Sequence, residues 1–316
     1  MTVSRLGAAN EGGDKLELFY KIFTGEVMVA FKSATKFIDK HRVRTISHGK
    51  SAGFNAIGGT TAAYHTPGVM LTGGSIKHAE RTISIDGLLL AQQFIADIDE
   101  AMNHYDVRGP YADEMGYALA LEFDTNVSNE IVLAARAAAT ITGGNGGSIV
   151  ADADVGSADP ATQVNAFIKA LFSMRLNFVT KNVPKPWFCA LGPALYGNIV
   201  QTVQTNGFSA IHKDYGTEGS FASGEVYRIG GFELIESNTV PATDMAARTF
   251  HAVNANTTKA ICWNPQAVGT VKLMDLSMQS EYSILHQGTI MVARYAMGHG
   301  ILRPECAGEI RTGNPT

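Results

Sequence analysis

The stretch IADIDEAMNHYDVRGPYADEMGYALALEF, Ile95 to Phe123, joins an acid-rich half to an apolar-striped half. Two readings fit the first half: a metal-dependent site built on Glu100, His104 and Asp106, or the joint of a scaffold. Side chains four positions apart on a helix converge, so Glu100 and His104 could share a ligand. That single pair is the extent of the match, because the stretch contains neither HExxH nor the alternating acids of a calcium loop. Asp113 and Glu114 fall in the first turn of the run that follows, where negative charge opposes the positive end of the helix dipole. That run carries Met115, Leu119, Phe123, Val127, Ile131 and Ala134 or Ala135 on one stripe, and Pro110 suits its first turn. The spacing predicts a helix from 110 to about 139, roughly 45 Å long at 1.5 Å per residue. The glycine-rich GGNGG at 143–147 ends it. A helix of that length reads as a spanning element, which favours the scaffold.

Composition points the same way. Of 316 residues 45% are apolar but only 17% are charged, against roughly 25% in ordinary soluble domains. Such a chain has few charges to display to water, so its outer faces are expected to be partly covered by neighbours. A neutral enzyme with a Ser, Thr and Asn surface is the competing reading. The formal net charge of -4, without a basic tail, argues against tight sequence-independent DNA binding. Cys189, Cys262 and Cys306 are odd in number and far apart, which suggests buried thiols in a reducing compartment. No apolar run reaches the length of a membrane span, and the first residues lack the apolar core of a signal peptide.

The remaining pattern is mixed. Asp14 and Glu17 stand at the start of a helix predicted over 15–32, with Phe19, Ile22, Phe23, Val27, Ala30 and Phe31 at helical spacing. From His41 to Ile85 come short β-like pieces, RVRTIS, GFNAI, TAAYH and RTISI, separated by glycine pairs at 58–59 and 73–74. This segment has no evident core of its own, and a two-stranded excursion is marginal alone, so it is expected to lie against something else. Asp159 and Pro160 announce a helix bearing Val164, Phe167, Ile168, Leu171, Phe172, Arg175 and Phe178. A buried strand at PWFCAL, a helix over about 193–204, and a β-rich remainder follow: VYRIGGFELIES, FHAVN, KAICWN, VKLMDL, QSEYSIL and GTIMVARYAMGHGIL. The class is α+β.

No chemical motif has a firm place. The GKS at Gly49 to Ser51 lacks the earlier glycine of a phosphate loop, since position 44 is Arg44. GGNGG follows a helix and so lacks the setting of a dinucleotide fingerprint. There is no GxSxG, and His299 is read as a packed or subunit-contact residue.

Several stretches together resemble one family. GDKLELFYKIFTGEVMVAF (Gly13 to Phe31), VRTISHGKSAGF (Val43 to Phe54), ISIDGLL (Ile83 to Leu89) and above all DIDEAMNHYDVR (Asp97 to Arg108) look like the major capsid protein of short-tailed, podovirus or autographivirus-like double-stranded DNA bacteriophages. CALGP at 189–193, SNTVPAT at 237–243 and YAMGHGILRPE at 295–305 follow in the same order, so that the resemblance covers about 14–310. It implies the HK97-like capsid fold shared by tailed phages, herpesviruses and encapsulins. Mapped onto this chain, the amino-terminal arm is 1–48 and the extended β-hairpin loop 49–82. The peripheral domain, with its long spine helix, is 83–159 and 266–316, and the axial domain 160–265. The implied function is self-assembly as pentamers and hexamers into an icosahedral shell around packaged double-stranded DNA. Implied partners are a scaffolding protein during assembly, arising from a separate chain because this one begins almost at the arm, and a portal protein at one vertex. The place is the virion capsid, assembled in the host bacterial cytoplasm, with no membrane, cofactor, metal or catalytic residue. Lys77, Arg81, Glu100, Asp106 and Arg108 are expected in ion pairs within or between subunits, and Gly49, Gly58, Gly59, Gly73 and Gly74 as hinges of the loop. Covalent lysine cross-linking is not implied for Lys50 or Lys77. The runner-up within the same fold is an encapsulin-like protein nanocompartment.

Overall fold

The computed structural model describes residues 36–60, 62–68, 70, 73–102, 108–202 and 228–314. The helix predicted over 15–32 lies outside them, as do His104 and Asp106. Strands β1 (Arg42–Thr45), β2 (Ser51–Ile57), β3 (His78–Ser84) and β4 (Gly87–Ala96) come first. Helices α1 (Asp97–Met102) and α2 (Arg108–Arg136) follow, then β5 (Ser148–Ala151), α3 (Pro160–Thr180), β6 (Trp187–Leu191) and α4 (Pro193–Thr202). The carboxyl-terminal part is β7 (Arg228–Ile229), β8 (Phe232–Glu236), β9 (Thr258–Trp263), β10 (Val268–Ser283), β11 (Gly288–Ile301) and β12 (Ala307–Arg311). The α+β class is therefore seen directly.

The chain divides into two compact units. The smaller contains Asp86–Phe123 and Leu273–Met297. In it β4 and β11 pair antiparallel, from Gly288↔Ala96 to Met297↔Gly87. Alternation along β11 buries Met291, Ala293 and Tyr295 and leaves Ile290, Val292 and Arg294 half-exposed, the two faces that a period of two predicts. On the covered face Tyr295 Oη reaches the carbonyl of Leu119, so the amino-terminal half of α2 packs there with Met115, Leu119 and Phe123 buried.

The larger unit contains Lys36–Ile85, Asp124–Lys272 and Gly298–Thr316. Its six-stranded sheet runs β5-β12-β9-β6-β8-β7. Central β6 is buried along its whole length, as a strand covered on both faces should be. A Cβ on Gly308 of β12 would collide with the Met174 side chain of α3, whereas the next residue, Glu309, binds Arg136 of α2. Neighbouring strand residues face opposite ways, so α3 and the carboxyl-terminal half of α2 sandwich the sheet. α3 starts where Asp159 caps it: the carboxylate accepts from the Thr162 N–H at 2.9 Å, and Pro160 needs no partner there. Those hydrogen bonds, led by the Thr162 hydroxyl, hold Asp159 below the usual carboxylate range. Phe178, Trp187 and Phe232 cluster with ring centroids 5.4 to 5.8 Å apart, forming the sheet's aromatic core.

Several expectations need adjusting. Phe172 is 45% exposed rather than buried with the rest of its stripe, and Met174 takes the inward place. TAAYH forms no strand at 62–65, and FHAVN forms none either. In the latter His251 adopts φ 52, a left-handed conformation that an extended strand cannot continue through. VKLMDL and QSEYSIL are not two strands but the single strand β10.

Candidate assembly surface

The hairpin of β2 and β3 is in register from Ser51↔Ser84 to Ile57↔His78. Its base is built into the larger unit. Ala52 and Ile83 share a buried cluster with Val271 and Leu302, flanked by Ile46, Phe54 and Ile85. A Cβ on Gly300 would lie 2.9 Å from Ile83, so glycine there lets the strands close up. Arg44 donates to the Gly53 carbonyl at 3.0 Å and lies over the Phe54 ring at 5.6 Å. Farther out support disappears: Ile57, Tyr64, Met70 and Ile76 are 66, 106, 86 and 44% exposed. The hairpin is therefore anchored at one end, and its apolar tip side chains touch little of their own subunit.

The residues expected at contacts are distributed over this landscape. Lys77 sits at the tip-side end of the hairpin, where its carbonyl accepts from the Gly58 N–H at 2.8 Å. Arg81 points back to Thr140 Oγ1 at 3.4 Å. Glu100 lies on α1 with Asp97 and Asp99. Arg108 opens α2, while Asp106 lies outside the described residues. Among the five loop glycines Gly49 has φ +109, which only glycine adopts readily. Gly58 is held by close approach, since a Cβ would meet the Lys77 carbonyl at 3.0 Å; Gly59, Gly73 and Gly74 have open space around them.

Sequence reasoning misses the features that stiffen the body. Arg136 and Glu309 form a two-pronged pair at 2.6 and 2.7 Å, with Glu309 wholly buried and also accepting from Thr258 Oγ1. Lys181 Nζ donates to the carbonyls of Gly146 and Gly147 and to Ser148 Oγ, pinning the glycine-rich turn. Residues 36–41 plug into the same body. Phe37 is fully buried 5.2 Å from the Trp263 ring, and Trp263 Nε1 donates to the Lys40 carbonyl. Asp124 on α2 accepts from the Lys36 N–H at 2.9 Å. Burial pushes its carboxyl up to about 6, against the pull of the backbone N–H groups of Lys36 and Phe37.

His299 is packed, as expected, within a chain of hydrogen bonds. His41 Nδ1 donates to the Phe37 carbonyl at 2.7 Å, leaving Nε2 of a neutral ring to accept from Thr270 Oγ1 at 2.7 Å. Thr270 Oγ1 in turn lies 2.9 Å from His299 Nδ1, which donates to it. Burial lowers the pKa of both imidazoles, which fits the neutral tautomers this chain requires. Cys189 and Cys262 face each other across β6 and β9, where burial raises the Cys262 thiol far from reactivity.

Among the described residues no three His, Cys, Asp or Glu side chains are grouped to hold a metal ion, and no described helix is long and apolar enough to cross a membrane. A surface with a half-supported apolar hairpin, stiffened behind, is suited to contact rather than to chemistry. Comparisons with known proteins agree. The chain is 34% identical to the major capsid protein of Escherichia phage T7, covering 94% of this chain and 92% of that one. It is equally similar to the major capsid protein of Enterobacteria phage T3, over 96 and 94%. The capsid structure of cyanophage P-SCSP1u superimposes with a TM-score of 0.81 at 41% identity over 99% of both chains. The bacteriophage PhiM1 mature capsid shares the fold at 20% identity, with a TM-score of 0.76 over 98% of this chain and 96% of that one. Residues 54–311 match the family model described as Gp10A-like major capsid protein. The chain belongs to that family of tailed-phage capsid proteins and is a structural protein, not an enzyme.

Proposed function

We propose that copies of this chain assemble as pentamers and hexamers into the icosahedral shell that encloses the packaged double-stranded DNA of a short-tailed, autographivirus-like bacteriophage. The observation that carries the reading is the hairpin, packed at its base and bare at its tip. Covering an exposed Ile, Met or Tyr side chain is worth on the order of 2 kcal/mol, and a neighbouring copy offers that cover. One sequence must fill both five-fold and six-fold positions, so the stiff body, to which residues 36–46 of the arm are fixed, keeps its shape while the loop at 49–82 absorbs the angular differences. The peripheral domain at 83–159 and 266–316 and the axial domain at 160–265 supply the rigid parts. Each contact is modest, but a subunit with several neighbours gains avidity, and closure removes exposed edges.

Assembly takes place in the host bacterial cytoplasm with a separate scaffolding protein, and a portal protein occupies one vertex. The inner wall is close to neutral or acidic, in keeping with the net charge of -4 and with DNA that must slide inward without sticking. Electron microscopy of the overexpressed chain, with and without a scaffolding partner, tests the reading. Closed particles of uniform size support it. A compact monomer in every condition, its hairpin folded on its own body, overturns it.

A further inference from the structure

The outward face of α3 joins bare apolar side chains to charge of one sign. Phe172, Leu176 and Val179 stand at i, i+4 and i+7, which stacks them on one face, and they are 45, 66 and 53% exposed. On the opposite face Phe167, Leu171, Met174 and Phe178 are fully buried, with Met174 against Gly308 and Phe178 against Phe232 of the sheet. The stripe therefore stands on a rigid support. A Cβ on Gly230 would lie 3.8 Å from the Phe172 ring, so the turn between β7 and β8 borders the stripe.

Lys169 and Arg175 flank the three apolar side chains, both exposed, and neither pairs with a carboxylate among the described residues. Lys185, just past the helix, is exposed too, with its ammonium 5.5 Å from the centre of the Trp187 ring. α3 and α4 contain no acidic residue, and none occurs in the sequence from Pro160 to Lys213. In a chain of net charge -4 that is a local reversal of sign.

The chemistry of an occupant follows from both features. A second copy meeting the first through the same face would set Lys169 and Arg175 against their like, and like charges repel at short range. Duplex DNA would satisfy the cations but leave the apolar stripe unused, because its backbone is held by charged and polar groups. A helix with apolar anchors at i, i+3 or i+4 and i+7, bordered by Asp or Glu, satisfies both. From Lys169 to Val179 the face is about 15 Å long, nearly three turns. Helix α1, which combines acids with exposed Ile98 and Met102, has six residues and is too short to cover it. We infer that the outward face of α3 docks an acidic amphipathic helix of the scaffolding protein. The inference rests on the shell reading and adds the place where that partner binds. Because the cations are exposed, salt weakens the contact, which suits a partner needed only during assembly.

The unassembled full-length chain tests it by fluorescence anisotropy. The probe is a fluorescein-labelled helical peptide of about 18 residues, with leucines at i, i+3, i+4 and i+7 and glutamates elsewhere. Leu176→Asp and the pair Lys169→Glu with Arg175→Glu are each expected to weaken its binding about tenfold or more, while a peptide with lysines in place of the glutamates prefers the charge-reversed chain. Urea midpoints near the parent's show that these outward substitutions leave the fold intact. Equal binding of the acidic peptide to the parent and Leu176→Asp, or equal binding of both peptides to the parent, overturns the docking site. So does a parent dimer, seen by sedimentation, that Leu176→Asp splits, or a labelled DNA duplex that binds the parent in place of the acidic peptide. In cells making both proteins, Leu176→Asp is expected to yield particles depleted of scaffolding protein or irregular in size. Regular particles with the full complement of scaffolding protein overturn the docking site while leaving the shell reading intact, whereas absence of particles from the parent chain overturns the shell reading itself.

Discussion

Replacing Asp124 by Asn should stabilise the unassembled subunit at neutral pH and do little in acid. Asp124 keeps the segment 36–41 docked by accepting from the Lys36 N–H, yet it is 4% exposed and one carboxylate oxygen has no partner. Burial raises its pKa from 3.8 to about 6. Between those two values the native chain holds a proton that the unfolded chain has released, so stability falls as pH rises through the window. A rise of that size corresponds to about 3 kcal/mol at pH 7. Asn keeps an oxygen for the Lys36 N–H and carries no charge, while still leaving one polar atom unpaired. The variant's advantage over the parent is therefore expected to be about 2 kcal/mol greater at pH 7 than at pH 4. Urea unfolding at both pH values measures it, followed by tryptophan fluorescence, because Trp263 stacks on Phe37 beside this contact. An advantage that is the same at both pH values, or a loss at pH 7, refutes the account of Asp124 as an ionised carboxylate under burial strain.

Other outcomes follow from the same structure. Arg136→Ala leaves Glu309 buried without its cation and should cost about 3–5 kcal/mol; Arg136→Met combined with Glu309→Leu should recover most of it, read as urea midpoints. Gly147→Ala drives a Cβ into the backbone carbonyls of Ala134 and Ala135, which cannot swing aside as a side chain would. A loss of about 3 kcal/mol or failure to fold is expected, and an unchanged melting temperature would show that the turn relaxes. In the Asp124→Asn background stability should decline as pH drops below about 6.5, because buried His41 and His299 resist the protons that the unfolded chain accepts. Lys272 and His299 oppose a charge on His41, Asp39 favours one, and Glu130 faces His251 at 2.7 Å. A urea midpoint that stays level between pH 7 and 5 would contradict the neutral hydrogen-bonded chain.

How much of this was legible in the sequence depended on whether a local pattern carried the information. The stripe Met115 to Ala135 is strictly periodic, and the helix runs Arg108–Arg136 with those side chains buried. The Asp159-Pro160 start and the alternation of β11 are equally local signals and match the structure. β4 is different. Its GLLLA opening is a continuous apolar run that fits helix and strand alike, and only its pairing with β11 resolves the choice. FHAVN reads as a strand by residue type, but a left-handed His251 interrupts it. Nothing in the spacing joins Arg136 to Glu309 or Lys36 to Asp124, since each contact spans a large part of the chain. The hairpin was recognisable because it lacked a core, while the cluster anchoring its base draws Val271 and Leu302 from far downstream.

Hydrogen exchange across 51–84, compared between unassembled subunits and closed particles, tests the central claim most directly. If a neighbouring copy covers the hairpin tip, amides near Ile57, Tyr64, Met70 and Ile76 slow markedly on closure, while those near Ala52 and Ile83 are already protected. Equal exchange at the tip in both states would mean that no neighbour covers it.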